Sequence, residues 1–292
     1  MKKNFKYLLF LLTICSGIFS SAQMRMSFMI ESPSFMLLSE NTDKFQNLDS
    51  CYLTISYNVS LRASEKDDSL SHTDLMDLQL GRLNNAFFSR NLRNLDIQNT
   101  SDMKNKMEIN PVPDNFLGWD IITNHADSLM TVRNRVPYTT QVVEYTEQIP
   151  VIDWEIQPES NDTVLGYECK SALGQFGGRI WKIYYTEQIP LPYGPWKLSG
   201  AKGLILKAAD TENNFIFEAA GLTQKPDAII RYEWPQKTME KNEWVDFEKN
   251  IYKNAGAFVK STGTRISIID NSEKGFHRLS EDWSEFYNPL ER

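Results

Sequence analysis

Histidine and cysteine are scarce: the 292-residue chain has three of each. His72, His125 and His277 lie far apart, none of them in an H-E-x-x-H pattern, and no Cys-x-x-Cys occurs. A zinc site made from closely spaced ligands is therefore poorly supported. There is no G-x-S-x-G nucleophile elbow and no phosphate-cradling P-loop, and "GAKG" (200–203) lacks the spacing of a dinucleotide fingerprint. A Cys–His nucleophile would need Cys51 or Cys169 as a free thiol beside a histidine, and nothing local places them so. Positive charge is also in deficit. The formal net charge is −7, which argues against nucleic acid or an anionic membrane surface as the main partner. No cofactor and no metal are implied.

Long apolar runs are missing too, apart from one at the start. Lys2, Lys3 and Lys6 precede an apolar stretch over residues 7–19, and Ser20-Ser21-Ala22 follows with small residues. This is the layout of a secretory signal peptide over residues 1–22, with cleavage before Gln23. The run falls short of the roughly 20 apolar residues that a membrane span needs. Ile14 before Cys15 is too bulky for the usual lipoprotein site. The expectation is an exported protein of the periplasm or cell envelope, with no transmembrane span after cleavage. Cleavage would leave Cys51 and Cys169. In an oxidising compartment they either pair or stay buried as free thiols, and both readings remain open. Pairing would close a long loop, worth roughly 4–5 kcal/mol in the chain-entropy model.

What is present reads mainly as strand. "CYLTISYNVSL" (51–61) is β-branched and aromatic. Residues 62–74 are polar and loop-like, and "LMDLQLG" (75–81) alternates. Residues 84–110 are rich in asparagine and show no periodicity; residues 84–134 as a whole are left without a structural assignment. From residue 135 the pattern sharpens: "TTQVVEYTEQI", "VIDWEI", a turn cluster "QPESND" (157–162), the strand "TVLGYECKSAL", the turn "GQFGG", and the strand "RIWKIYYTEQI". In the last of these Trp181, Ile183 and Tyr185 share one face. "GLILKAA" and "FIFEAAGL", joined by "DTENN", read as a hairpin, and "DAIIRYEW" (227–234) closes the series. Trp244, Phe247 and Ile251 are spaced as on a helix, with Thr238 as its N-cap and Gly256 as its stop.

The hexapeptide YTEQIP occurs at 145–150 and again at 185–190. Its flanks do not match, so it is not a structural repeat. Each copy ends a strand, where proline, lacking an N–H, breaks the ladder. Carboxylates are plentiful, among them Asp153, Glu155, Glu168, Glu187 and the Glu281-Asp282 pair; Asp153 and Glu168 stand out, each beside an aromatic (Trp154, Tyr167) on strands expected to be neighbours. Two carboxylates can act as acid and base across a sugar. In a chain with 38 acidic residues the solvated surface is the simpler account.

Residues 190–203 concentrate Pro190, Pro192, Gly194, Pro195, Gly200 and Gly203 around Trp196. Proline fixes φ and glycine permits positive φ or close backbone approach, so the loop is stiff. It presents Tyr193, Trp196, Gly200, Lys202 and Gly203 as candidate binding residues, since a stiff aromatic loop has little ordering cost left on binding. The architectural reading is that Trp196 plugs the end of the sheet.

Several spaced motifs in order carry a resemblance: "IDWEI", "LGYECKSALGQFGGR" and "YYTEQIPLPYGPWKLSGAKGLIL". Together they resemble the GLPGLI family of exported Bacteroidota proteins. The match falls on Trp154, Gly166, Tyr167, Cys169, Arg179, Tyr185, Pro190, Gly194, Pro195, Trp196, Gly200, Gly203, Leu204 and Ile205. It covers roughly residues 142–222. The Leu-Pro of the signature hexapeptide is replaced here by Ala201-Lys202. The resemblance implies an exported β-rich envelope protein and adds little chemistry.

The sequence therefore predicts a mainly β protein with a strongly curved, half-barrel-like antiparallel meander sheet over residues 23–235. A helical segment over 236–292 packs on that sheet. Its expected function is non-catalytic: binding an apolar small molecule or an envelope protein partner. The alternative is an envelope hydrolase using a carboxylate pair. A buried acidic pair with raised pKa values would favour the enzyme, and a smooth apolar cavity the binder.

Overall fold

The structure is a computed structural model that describes residues 27–30, 37–62, 70–113, 115–263, 265–270, 275–278 and 283–292. The signal-peptide reading at 1–22 and the Glu281-Asp282 pair lie outside the described residues. The strands are β1 (Ser27–Ile30), β2 (Phe45–Cys51), β3 (Leu53–Arg62), β4 (Leu70–Leu80) and β5 (Asn84–Ser89), followed by helix α1 (Arg90–Lys104). Next come β6 (Trp119–Asn124), β7 (Leu129–Arg135), β8 (Val142–Gln148), β9 (Glu155–Val164), β10 (Tyr167–Phe176), β11 (Arg179–Thr186), β12 (Leu204–Asp210), β13 (Phe215–Thr223), β14 (Asp227–Tyr232) and β15 (Gln236–Thr238). Helices α2 (Lys241–Lys253) and α3 (Ala255–Ser261) precede β16 (Arg265–Asp270) and β17 (Gly275–Arg278).

Twelve strands form one sheet in the order β15-β8-β7-β6-β5-β4-β3-β13-β12-β11-β10-β9, and the sheet does not close into a barrel. It is two antiparallel meanders joined where β13 pairs with β3. The chain jumps from one half to the far edge of the other between β8 and β9. Register shifts in β3–β4, β13–β3, β11–β12 and β10–β9 bend the strands. Period-two patterning assigns the faces. Ile55, Tyr57 and Val59 on β3, with Trp181, Ile183 and Tyr185 on β11, point to the inner face and are fully buried. The Tyr57 hydroxyl spans that face to donate to the Ile205 carbonyl (2.7 Å). Helix α2 covers part of it with Trp244 and Ile251. The outer face is covered by α1 and by the β2–β14 ribbon, which is a separate two-stranded sheet.

Polar residues are buried on that outer face. Arg133 makes a two-pronged contact to Asp120 (3.0 and 2.6 Å) and donates to the Tyr232 carbonyl (2.8 Å). Arg135 pairs with the fully buried Asp96 of α1. Burial would raise the Asp120 carboxyl, but Arg133 outweighs it and holds the group below its ordinary value. This network explains why α1 is invisible to hydrophobic periodicity: Asp96, Asn99, Thr100 and Asp102 are among its buried residues. The local signal for α1 is its cap, Ser89 Oγ accepting from the Leu92 N–H (2.9 Å).

Other sequence expectations are corrected. "QPESND" is strand, not turn. It lies in β9, an edge strand whose described residues are mostly exposed, so its polar composition costs nothing. The turn is at Leu165 (φ +52°) and Gly166 (φ +83°), the two-residue hairpin geometry with positive φ at both positions. Thr238 ends β15, and the α2 cap is Glu240, reciprocated by Glu243. Gly256 lies inside α3 rather than stopping a helix. The C-terminal segment 236–292 holds three strands, β15, β16 and β17, besides its helices, and β16 pairs with β1.

The two cysteines do not pair; both are free and buried. Cys51 packs with Ala86, Phe88 and Ile229, and its thiol contacts the Leu53 carbonyl (3.1 Å). Cys169 belongs to the main core. Between β3, which starts two residues after Cys51, and β10 lie three strands, roughly 19 Å at about 4.8 Å per step. A disulfide needs Cα atoms within about 7 Å. The denatured, unreduced protein should therefore show two reactive thiols from Cys51 and Cys169 in a thiol-titration assay. A count of zero for the two would restore the disulfide.

Candidate functional site

A cavity of about 610 Å³ lies between the inner face, α2 and the C-terminal tail 283–292. The sheet contributes Leu61, Trp119, Val132, Tyr145 and Phe215 to its wall, the 190–203 loop contributes Trp196 and Lys197, and α2 contributes Trp244, Glu248, Ile251 and Tyr252. Residues 285–291 form the opposite side. On α2 the spacing 244, 248, 251, 252 puts Glu248 on the same face as Trp244 and Ile251. A carboxyl thus stands within the helix's apolar stripe.

The tail is held by Arg179. Its guanidinium bonds Asp210 (2.9 Å), the Asn288 side chain (2.7 Å) and the carbonyls of Pro289 (2.6 Å) and Leu290 (3.2 Å). Gly177 and Gly178 leave room for it: a Cβ on Gly177 would lie 2.9 Å from Glu291 Cγ, and one on Gly178 2.9 Å from Arg292 Cβ. The Arg292 N–H donates to the Gly177 carbonyl (2.8 Å). These contacts give Arg179 and the Gly-Gly turn, present in the sequence motifs without an evident role, a joint task of seating the tail.

One end of the cavity is a closed charge knot. Buried Lys197 pairs with Glu147 and Glu291, and Lys241 pairs with the same two carboxylates at 2.7 and 2.8 Å. Burial pulls the Glu291 carboxyl up, but Lys197 and then Lys241 outweigh it and hold it below its ordinary value. Another part is different in kind. Burial pushes the Glu248 carboxyl up to about 7, against a hydrogen bond from the Tyr287 hydroxyl (3.2 Å) that lowers it. Burial also raises Glu285 to about 7. The Tyr252 and Tyr287 hydroxyls are raised, first by burial and then by the Glu248 charge.

The candidate loop residues take varied places. Trp196 is buried, its ring centroid 5.3 Å from Phe176 and 5.5 Å from Trp181, and it lines the cavity. Tyr193 packs on His125 (5.3 Å), away from the cavity wall. Lys202 is exposed, while Ala201 beside it is core. Gly200 has φ +87°, and Gly203 is pressed against the backbone of Thr186. Trp154 donates from its indole to the Ser199 carbonyl (2.8 Å), bracing the loop from outside. Of the carboxylates singled out from sequence, Asp153, Glu155, Glu168 and Glu187 are all exposed. Lys197, Glu248, Glu285 and Tyr252 were not singled out. For Glu248 the helical spacing held a signal; for Glu285 there was none. Among the described residues no group of three His, Cys, Asp or Glu could hold a metal ion, and no helix is long and apolar enough to cross a membrane.

No protein-family model matches the chain, and no curated protein matches it. Among solved structures it is similar to PNGF-II in two crystal forms, at 14% and 12% identity with a TM-score of 0.43 in both. The overlap covers 68% of this chain and 33% of PNGF-II, so the chain spans about a third of that protein's length.

Proposed function

We propose that this protein is a non-catalytic binding protein of the cell envelope that holds an apolar small molecule between its inner sheet face, α2 and the tail. The envelope setting rests on the leader-like residues 1–22 and the GLPGLI-like motifs. The observation that carries the binding reading is the cavity itself. Its volume of about 610 Å³ lies within the range of about 300–1,000 Å³ usual for small-molecule sites. Trp119, Trp196, Trp244 and Phe215 supply aromatic wall, which contributes large contact area with little rotamer entropy to lose. A concave site with aromatic walls suits a small molecule better than a flat protein partner.

N-phenyl-naphthylamine, an apolar fluorophore, should bind saturably at one site and quench the wall tryptophans. Leu61→Trp, which puts a ring into the cavity, should weaken that binding at least tenfold, on the order of 1.4 kcal/mol. Non-saturable uptake, or a titration indifferent to Leu61→Trp, would remove the binding reading.

A second reading is the envelope hydrolase, and one observation favours it: Glu248 and Glu285 are cavity carboxyls held near 7, where acid–base exchange operates. The ligand extracted from purified protein separates the two. The same intact molecule in the parent and in Glu285→Gln supports a carrier. A molecule that accumulates only in Glu285→Gln, with fragments in the parent, supports a hydrolase.

A further inference from the structure

Charge is unevenly settled around this cavity. Its cations are all engaged: Lys197 by Glu147 and Glu291, Arg135 by Asp96, and Arg62 also has its partners. Two of its carboxyls have no cationic partner among the described residues: Glu248 accepts from the Tyr287 hydroxyl, and the Glu285 carboxyl has neither a hydrogen bond nor an ion pair there. Beside them the rings of Tyr252 and Tyr287 meet at 5.2 Å and 52°, forming a corner of two π faces. Glu248, Glu285, Tyr252 and Tyr287 all line the cavity, and the Glu285 N–H donates to the Tyr252 carbonyl (2.8 Å), which keeps this part of the tail beside α2.

Resting on the cavity reading, we propose that the bound molecule is a cationic amphiphile, an apolar chain bearing an ammonium group that seats between Glu248, Glu285 and the Tyr252–Tyr287 corner. A desolvated carboxylate and aromatic faces both favour a cation. An anionic head would place like charge against two carboxyls. A neutral head would leave Glu285 without an ionic partner. The apolar chain extends along the side chains of Phe215, Trp119 and Val132.

This choice fixes a pH dependence. Burial keeps both carboxyls partly protonated around neutrality, so the empty site is neutral below about 7 and anionic above it. A permanently charged ammonium therefore binds more tightly as pH rises through that value. The other charged and titratable groups of the cavity are Tyr252 on α2, Tyr287 and Glu291 on the tail, Arg62, Arg135 and Tyr145 on the sheet and Lys197 in the 190–203 loop, with Asp246 of α2 acting on Tyr287 from outside the wall. The tyrosine hydroxyls are raised and stay neutral, and Glu291, held low, is already ionised across the range.

Calorimetric titration of the purified protein with dodecyltrimethylammonium, dodecanol and dodecanoate, each below its micelle concentration, tests the head group. At about pH 8 the ammonium should bind roughly tenfold more tightly than the alcohol, and the carboxylate most weakly. Toward about pH 5 the ammonium-to-alcohol ratio should shrink several-fold as the carboxyls protonate. In a Glu248→Gln, Glu285→Gln double variant the ratio should fall to about one at all pH values. Alcohol binding as tightly as the ammonium overturns the head-group proposal and leaves the cavity reading standing. Binding of none of the three overturns both. If the double variant does not fold, the parent's pH series decides alone.

Discussion

Gly203→Ala should destabilise the protein by at least about 3 kcal/mol, and Gly203→Val should prevent its accumulation as folded protein, because native domains hold only about 5–15 kcal/mol in reserve. A Cβ on Gly203 would lie 2.0 Å from the Thr186 carbonyl oxygen, 2.6 Å from its carbon and 3.0 Å from the Glu187 nitrogen. All three are backbone atoms, so no side-chain rotation relieves the clash. Overpacked cores usually lose about 1–3 kcal/mol because neighbours can shift. Here the neighbour is the end of β11, pinned by the Thr186–Leu204 register and by the Leu204 N–H to the Ile189 carbonyl (2.9 Å). Gly221→Ala is the control. It lies in β13 with nothing within 4 Å of its Cβ position, so it should stay within about 0.5 kcal/mol of the parent. Urea melts of the three proteins give the answer. A Gly203→Ala protein that melts with the control shows that the loop does not need this close approach.

The contrast between β11 and α1 shows which parts of the fold could be read. Strand β11 buries one face in a dry core, so Trp181, Ile183 and Tyr185 alternate cleanly. Helix α1 faces Arg135 across a buried ion pair, and apart from Leu92 its buried residues are polar: Asp96, Asn99, Thr100 and Asp102. Hydrophobic period reports burial only when the buried partner is apolar. Strand β9 fails for the opposite reason: as an edge strand it is wet, and its composition matches a loop. The two-meander order was also beyond local reading, because it depends on β13 returning to β3 rather than on any short pattern.

The site was legible in fragments. The 190–203 loop stood out by its proline and glycine content, and Arg179 and the Gly-Gly turn by their motif. What the loop delivers inward is Trp196 and Lys197, and a lysine beside a tryptophan carries no local sign that it will be buried. The tail meets Arg179 across more of the sequence than any local pattern spans, so residues 285–291 gave no sign that they wall a cavity. Glu248 was the accessible clue. An acidic residue four positions after Trp244 and three before Ile251 sits in an apolar stripe, and a charge there needs either a partner or a purpose.

Trp196→Ala should cost about 3–5 kcal/mol, the usual range for truncating a buried aromatic. The ring fills the space between Phe176, Trp181 and the Gly177 turn, where its edge comes within 3.4 Å of the Gly177 Cβ position, and it also closes one side of the cavity. Lys197 is packed beside it, its ammonium 5.6 Å from the indole, so the cavity left behind opens toward a buried charge. The backbone adds a second, separable forecast. Trp196 has φ +56°, a left-handed conformation that costs a non-glycine residue about 1–2 kcal/mol. Alanine keeps that strain and loses the ring; glycine loses the ring and the strain together. Trp196→Gly should therefore be at least as stable as Trp196→Ala, the reverse of the order expected in a regular strand or helix. Parallel denaturant melts read both effects. A Trp196→Ala cost below about 1 kcal/mol would show that the ring is not a structural plug. An alanine variant clearly more stable than the glycine one would show that the stiff loop does not impose the positive φ, and that its prolines and glycines serve something other than holding Trp196 in this pose.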